Sequence, residues 1–409
     1  YYGGYTGYSF SNVKDVGNVT SYNMSAAGLA SYSDSVVAVT AYDINIDGTD
    51  DQVEGYESWF SIPPYSGPVW SVIQDICTSI HPYISNDDTD GSLDKPFKTI
   101  QKAIDSAASG DTIKVGHCTS SYNPIIITNK NLIISSYYDP EITSSTPSST
   151  IISGSGTDRP VTITGTSAVT MKGLSITNGL AEDGGGINIS STGAVLLKNL
   201  NIYSNQATDD GGGIYTSENS NATINSCKVH SNVCVSNGGG IVSRGNNIIQ
   251  NSLIYNNESQ SDDGGILATK PLILINSVVA YNFIPDGRYA PGLGIVTGLD
   301  SLLLFNNIFY HNYRGQSYDM GSEDAINLGD GRLVAYNNYF QSGDNNLTIS
   351  RGSGNIFSDT QPVISPISSS DDFSLKNTSS AIGAGVSSAT LNGITYSAPT
   401  TDFNGAARP

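Results

Sequence analysis

Asp43, Asn45, Asp47, Thr49, Asp51 and Glu54 are the residues of this chain whose types and spacing most directly specify a chemistry. With Gly48 they fit Asp-x-Asn-x-Asp-Gly-x5-Glu, the pattern of a calcium loop. Side-chain oxygens of five of them and the Thr49 carbonyl would converge on a hard cation, so Ca2+ is expected here as a structural clamp. Residues 35–41 read as a strand and Asp50 stands where an aliphatic residue is usual. A polar Asp-Gly turn between two strands is therefore the alternative.

A second set of acids precedes runs of glycine: Glu182 and Asp183, Asp209 and Asp210, Asp262 and Asp263, with Ser236 and Asn237 in the corresponding place of one further run. Stacked carboxylates repel unless they splay into water, take up protons or share a cation. Two carboxyls about 6.5 to 9.5 Å apart would suit inverting glycoside hydrolysis. Solvated corner residues are the simpler reading. Lyase chemistry on acidic sugars would need a basic side chain, and Lys172, Lys198, Lys228, Arg244, Lys270, Arg288, Arg314 and Arg332 supply candidates without forming a recognisable cluster by spacing.

The elements that must position these groups come from a repeat. Gly-rich punctuation followed by an aliphatic residue recurs at Ile187, Ile214, Ile241, Ile266 and Ile295, at intervals of 27, 27, 25 and 29 residues. Asn178, Asn205, Asn232, Asn257, Asn282 and Asn312 keep the same beat. Between them lie short alternating or continuous apolar segments bounded by Gly and Asn, which are strand signals. A unit of this size cannot close its own core and must stack on its neighbours. The expected fold is all-β, a parallel β-helix, with the isoleucines piled inside and the asparagines stacked at a corner.

Residues 97–109 place Phe97, Ile100, Ala103, Ile104 and Ala107 on one helical face with Gly110 as a stop, and precede a strand at residues 111–115. This is the helix expected to cap the open first coil. The organisation read from the chain is an N-terminal β-rich segment (1–76), the β-helix (77–361) and a closing segment (362–409).

Composition narrows the partners. Against 37 acidic residues stand 18 basic ones, a net charge of −19, which repels nucleic acid and anionic membranes. Polyuronates would be repelled as well. The richest apolar run, residues 271–280, is interrupted by Asn276 and Ser277 and is too short to span a bilayer. The start at Tyr1 without Met is what a mature exported protein would show, giving an extracellular or cell-surface location as the expectation.

The run Asn86-Asp87-Asp88-Thr89-Asp90-Gly91-Ser92, the helix from Pro96 to Ile104 and Gly110-Asp111-Thr112-Ile113 resemble the opening segment of secreted β-helix proteins of the pectate-lyase-like superfamily. The Gly-Gly-Gly-Ile units are similar to the polymorphic outer-membrane-type repeat. Residues 381–385 and 401–409 resemble the closing segment of prokaryotic surface β-helix proteins that carry a C-terminal anchoring region. The resemblance spans residues 77 to 409 and implies fold and export; a shared fold does not by itself imply activity.

In an exported protein the four cysteines are expected to pair as Cys77 with Cys118 and Cys227 with Cys234, buried free thiols being the alternative. Seven sequons, at Asn18, Asn23, Asn188, Asn221, Asn257, Asn346 and Asn377, are candidate glycosylation sites. Residues 1–76, rich in Tyr, Ser, Gly and Val, could pack on their own β-helix or add a strand to a neighbour, which would give a head-to-tail homopolymer. Two functions follow: an extracellular structural or adhesive protein that self-assembles into a filament or surface layer and meets cell-surface glycans, or a secreted lyase or glycoside hydrolase with a cleft along the coils. No set of residues here provides base, acid and substrate clamp together, which favours the first.

Overall fold

The computed structural model describes residues 2–6, 9–12, 69–72, 91, 96–116, 120–136, 150–285, 290–295, 302–315, 326–327, 333–341, 349–365, 372–403 and 407. Two compact units divide the chain at Pro68. The first, Tyr1–Pro68, contains an antiparallel hairpin of Tyr2–Thr6 with Ser9–Asn12. The calcium-loop residues, Cys77, Cys118, Asn18, Asn23 and Asn346 lie outside the described residues.

The second unit, Val69–Pro409, is a parallel β-helix. Among its described residues, parallel sheets of eleven, nine, eight and six strands run its length. Each strand pairs with its counterpart one coil away, so every interior position becomes a row along the axis. One such row runs Ile125, Val161, Ile187, Ile214, Ile241, Ile266, Leu293, all at 1% exposure or less. Ile295, counted with this row from the sequence, stands two residues further on and pairs with Ala268 instead. The coil there is longer, and backbone pairing selects Leu293 for the row.

Two polar rows also lie inside. Asn205, Asn232, Asn257, Asn282 and Asn312 form the first, each Nδ2 donating to the next Oδ1 at 2.9–3.0 Å. Each Nδ2 also donates to an interior strand carbonyl of the preceding coil, as Asn257 does to Val229 at 2.9 Å. Asn178 is not part of this row. It occupies the preceding corner position at φ 52°, alongside Ser204, Ser231, Asn256, Tyr281 and His311, and the Gly179 N–H donates to Asn205 Oδ1 in its place. The second row changes from Leu174 and Leu200 to Cys227, Ser252, Ser277, Asn307, Asn338 and Asn355, linked by bonds from each backbone N–H to the next side chain.

These rows decide two of the sequence expectations. Cys227 and Cys234 are free and buried, not bridged. Cys227 lies in the second polar row, with its thiol near the Asn225 and Leu197 carbonyls, while Cys234 belongs to a separate row between Ala207 and Ser259. Burial pushes both thiols up to about 12, away from the reactive thiolate. The Asn257 sequon is likewise excluded as a glycan acceptor, because that side chain is 0% exposed and its nitrogen has two acceptors. Asn221 and Asn377 are exposed and Asn188 is half-buried.

The helix forms over Ile100–Ser106, with Thr99 Oγ1 accepting from Lys102 N–H as its N-cap at 3.2 Å. Phe97, Ile100, Ala103, Ile104 and Ala107 are buried in the core at this end. The outermost strand of the eleven-stranded sheet is Val69–Val72, which pairs parallel with Thr112–Val115.

At the other end, the alternation of the early strands disappears. Outward positions Thr170 and Lys172, then Thr223 and Asn225, give way to Ile273 and Ile275, Leu303 and Phe305. A strand apolar on both sides must be covered on both. Here a second hydrophobic core outside the coil brings Ala389 and Leu391 of the closing hairpin, Ser388–Leu391 with Ile394–Ser397, onto those residues. Asn251, Asn306 and Asn337 tie the closing segment down by donating to the carbonyls of Thr401, Val386 and Ala384.

Candidate functional site

The glycine turns gather the ionisable groups. Backbone bonds run from Gly184 N–H to Asp210 O, Gly211 N–H to Asn237 O and Gly238 N–H to Asp262 O. The stacked row is therefore Asp183, Asp210, Asn237, Asp262. Asp263 is one place out of it. It takes the position of the first glycine in the other coils, where Gly184, Gly211 and Gly238 sit at φ 64°, 69° and 65° and Asp263 at 59°. The sequence pairing of Asp263 with Asp183 and Asp210 is thus off by one residue, because this coil spells Asp-Asp-Gly-Gly and the left-handed position falls on an aspartate, among the residue types that tolerate it best.

Asp210 is 3% exposed and fully engaged. Its Oδ1 accepts from Asn237 N–H at 3.1 Å and Asn237 Nδ2 at 2.9 Å. Its Oδ2 is ion-paired with Arg244, whose guanidinium lies 5.4 Å from the Tyr215 ring centroid. Asp183 Oδ1 accepts the Asp210 N–H at 3.3 Å. Burial raises the Asp183 carboxyl above its ordinary range and the Asp210 and Asp209 charges add to this, while the Asp210 N–H and Arg244 oppose it. Arg159 braces the edge of the row, donating to the Asp183 and Gly184 carbonyls at 2.7–3.2 Å.

Asp263 is 3% exposed, and its Oδ1 has no hydrogen-bond partner among the described residues. Its carboxyl fills the space that a Cβ at Gly294 would take. Burial raises this carboxyl well above the usual value, the Asp262 and Asp210 charges push the same way, and the Ala290 N–H pulls against them. Between the ordinary aspartate pKa of about 4 and the raised folded value, the native state holds a proton that the unfolded chain releases. Stability therefore falls as pH rises through that window and stays reduced above it. Asp263→Asn is expected to stabilise the protein by about 1–3 kcal/mol at neutral pH and to gain little near pH 4. Thermal melts of both proteins at the two pH values check this; equal shifts at both would refute it.

The structure thus brings Asp183, Asp210, Asn237 and Arg244 together and leaves Glu182 and Asp209 at the turn margin. Among the described residues no cluster of three or more His, Cys, Asp and Glu side chains is arranged to hold a metal ion. Sequence reasoning misses Tyr215 and Arg159. Tyr215 immediately follows Ile214 of the Gly-Gly-Gly-Ile unit, so strand alternation places it outward.

A further feature is a groove of about 1110 Å³ between the outer face of the nine-stranded sheet and the closing segment. Leu253, Val278, Ile308 and Tyr339 form its floor, with Lys228, Phe373, Asp402 and Phe403 around it. The Lys228 ammonium stands 5.9 Å from the Phe403 ring centroid.

No curated protein matches the chain. Among solved structures it is similar to the pectate lyase Pel9A, at 14% identity and a TM-score of 0.46 over 84% of this chain and 98% of that one. It is also similar to a pectin methylesterase from Aspergillus niger, at 13% identity and a TM-score of 0.37 over 74% and 88% of the two chains. A rhamnogalacturonan lyase gives 15% identity and 0.35 over 71% and 73%. Residues 104–271 match the family model for a right handed beta helix region, and the fold of this chain is a right-handed parallel β-helix.

Proposed function

We propose that this is an extracellular structural protein that assembles head to tail through its N-terminal unit into a filament or surface layer and meets cell-surface glycans. The observation that carries this reading is the state of Asp210. A catalytic carboxylate has to exchange protons with a substrate or attack it, whereas both Asp210 oxygens are held by Asn237 and Arg244. The ionisable cluster serves as a strut between coils. The interior rows give a rod that transmits load along its axis, and the helix at one end prevents direct stacking of coil on coil there. On this reading, contact between copies falls to the N-terminal unit, residues 1–68. Calcium bound by Asp43, Asn45, Asp47, Thr49, Asp51 and Glu54 would hold that unit in shape.

Electron microscopy and sedimentation of the purified chain, with and without a calcium chelator, test the reading. Fibres or sheets are expected, and dispersed particles at every condition would overturn it. A second reading, a polysaccharide-active enzyme, is favoured by one observation: a raised Asp183 carboxyl beside the ion-paired Asp210, the arrangement that separates an acid from a base. Glycan depolymerisation that is lost in Asp210→Asn would establish it.

A further inference from the structure

We propose that the groove between the nine-stranded sheet and the closing segment binds an uncharged oligosaccharide, an inference that rests on the glycan contact in the reading above and gives it a place and a class. The floor follows one outward row of the sheet, from Lys228 through Leu253, Val278, Ile308 and Tyr339 to Ile356, one residue per coil. Five coil spacings of about 4.8 Å make a trough of about 24 Å. That length suits a chain of linked units better than one small molecule.

Two rings of the closing segment, Phe373 and Phe403, line the trough. The Phe373 ring centroid is 4.7 Å from that of Tyr255, which is stacked on His230 at 4.8 Å. His230 is stacked in turn on Tyr203 at 5.4 Å, so Phe373 rests on a pile of rings fixed by the coils. Phe403 lies 5.9 Å from the Lys228 ammonium. Both phenylalanines are half-buried and keep surface for a ligand.

One polar atom in the groove lacks its partner. Asn251, Asn276, Asn306 and Asn337 take the same corner of successive coils, at φ 50°, 49°, 59° and 53°. Three of them donate Nδ2 to a carbonyl of the closing segment. Asn276 does not. Its Oδ1 accepts from Asn306 Nδ2 at 2.9 Å, while its own Nδ2 is buried and has no acceptor among the described residues. Asn276 lines the groove, so an oxygen of a bound ligand would satisfy that donor.

The class of ligand follows from the lining. Lys228 and Asp402 both face the groove, so an anion and a cation would each meet a charge of its own sign. The net charge of −19 further disfavours polyanions. An acyl chain would cover Lys228, Asp402 and the Asn276 Nδ2 without giving any of them a partner. An extended peptide would find no backbone to pair with, because the floor is the face of a sheet whose strands pair with one another between coils. Sugar hydroxyls donate and accept at once, which suits ammonium, carboxylate and amide alike. The C–H face of a sugar ring packs on an aromatic side chain, and Phe373 and Phe403 supply two.

Titration calorimetry of the full chain with cellohexaose, xylohexaose and mannohexaose, and with the hexamer of galacturonate as the acidic counterpart, tests the assignment. At least one neutral hexamer is expected to bind and the galacturonate hexamer is not. Asn276→Asp keeps the acceptor for Asn306 and removes the unpartnered donor, and is expected to weaken binding about tenfold with unchanged melting. Phe403→Ala is expected to weaken it by a similar factor. Failure of every neutral hexamer to bind, preference for the galacturonate, or full affinity in both variants would overturn the site. Electron microscopy reads assembly separately: fibres without sugar binding leave the assembly reading standing and remove this site, and binding without fibres does the reverse.

Discussion

Asn257→Ala is expected to lower stability by about 4 kcal/mol. Asn257 Oδ1 accepts from Asn232 N–H at 3.1 Å and Asn232 Nδ2 at 3.0 Å, and its Nδ2 donates to Val229 O and Asn282 Oδ1 at 2.9 Å. Alanine removes all four bonds at a site that is 0% exposed. Each buried group left without a partner costs about 1–3 kcal/mol, and the loss interrupts a chain of amides that polarise one another. Asn257→Asp should do no better, because its carboxylate keeps the acceptors and loses both donors. Urea unfolding followed by circular dichroism measures the effect. A loss below about 1 kcal/mol would show that the row is ornamental to stability.

Gly212→Ala is expected to cost at least about 3 kcal/mol, although it adds a single methyl group. A Cβ there would stand 2.5 Å from both Gly239 O and Val233 O. Both are backbone atoms of the next coil, and neither can swing aside as a side chain can. The neighbouring turns repeat the constraint, since a Cβ at Gly185 would meet Gln206 O at 2.3 Å and one at Gly239 would meet Glu258 O at 2.4 Å. Glycine is needed here for close approach between coils. Thermal unfolding of the variant, compared with alanine in place of the exposed Glu218, tests this; similar melting of the two would count against it.

Much of the architecture is legible because a parallel coil writes its register into the chain. The Gly-Gly-Gly-Ile units and the asparagines carry the period, and Ile187, Ile214, Ile241 and Ile266 do stack in register. The slips share one cause. Register is set by backbone pairing between coils, while sequence landmarks are residue types, and the two part company where a coil gains or loses a residue. Ile295 matches the earlier isoleucines by type, yet Leu293 holds the row; Asp263 matches the acids by type, yet the backbone places it with the glycines. Asn178 has the look of a rung, although its coil uses the Gly179 backbone N–H there.

The candidate site is legible only in part. Asp183 and Asp210 stand out in the sequence, but Arg244 comes 34 residues after Asp210 and reaches it only through the coil stacking. The closing hairpin leaves a usable trace: Leu272–Ile275 and Leu302–Phe305 are apolar at every position, where a strand with one wet face alternates. The fate of the cysteines is hidden, since spacing does not reveal that Cys227 and Cys234 belong to different interior rows.

The asparagine row also bears on how such a chain changes length over generations. Each rung donates to the next in the same sense, from Asn205 through to Asn312, so any rung can follow any other. Removing residues 232–256 would join Ser231 to Asn257 and leave Asn205 bonded to Asn257 as it now is to Asn232. The asparagine row by itself therefore lets this β-helix be shortened or extended by whole coils, while the turn beside it has to be matched coil by coil, since residues 232–256 include Asn237 and Arg244, which hold Asp210.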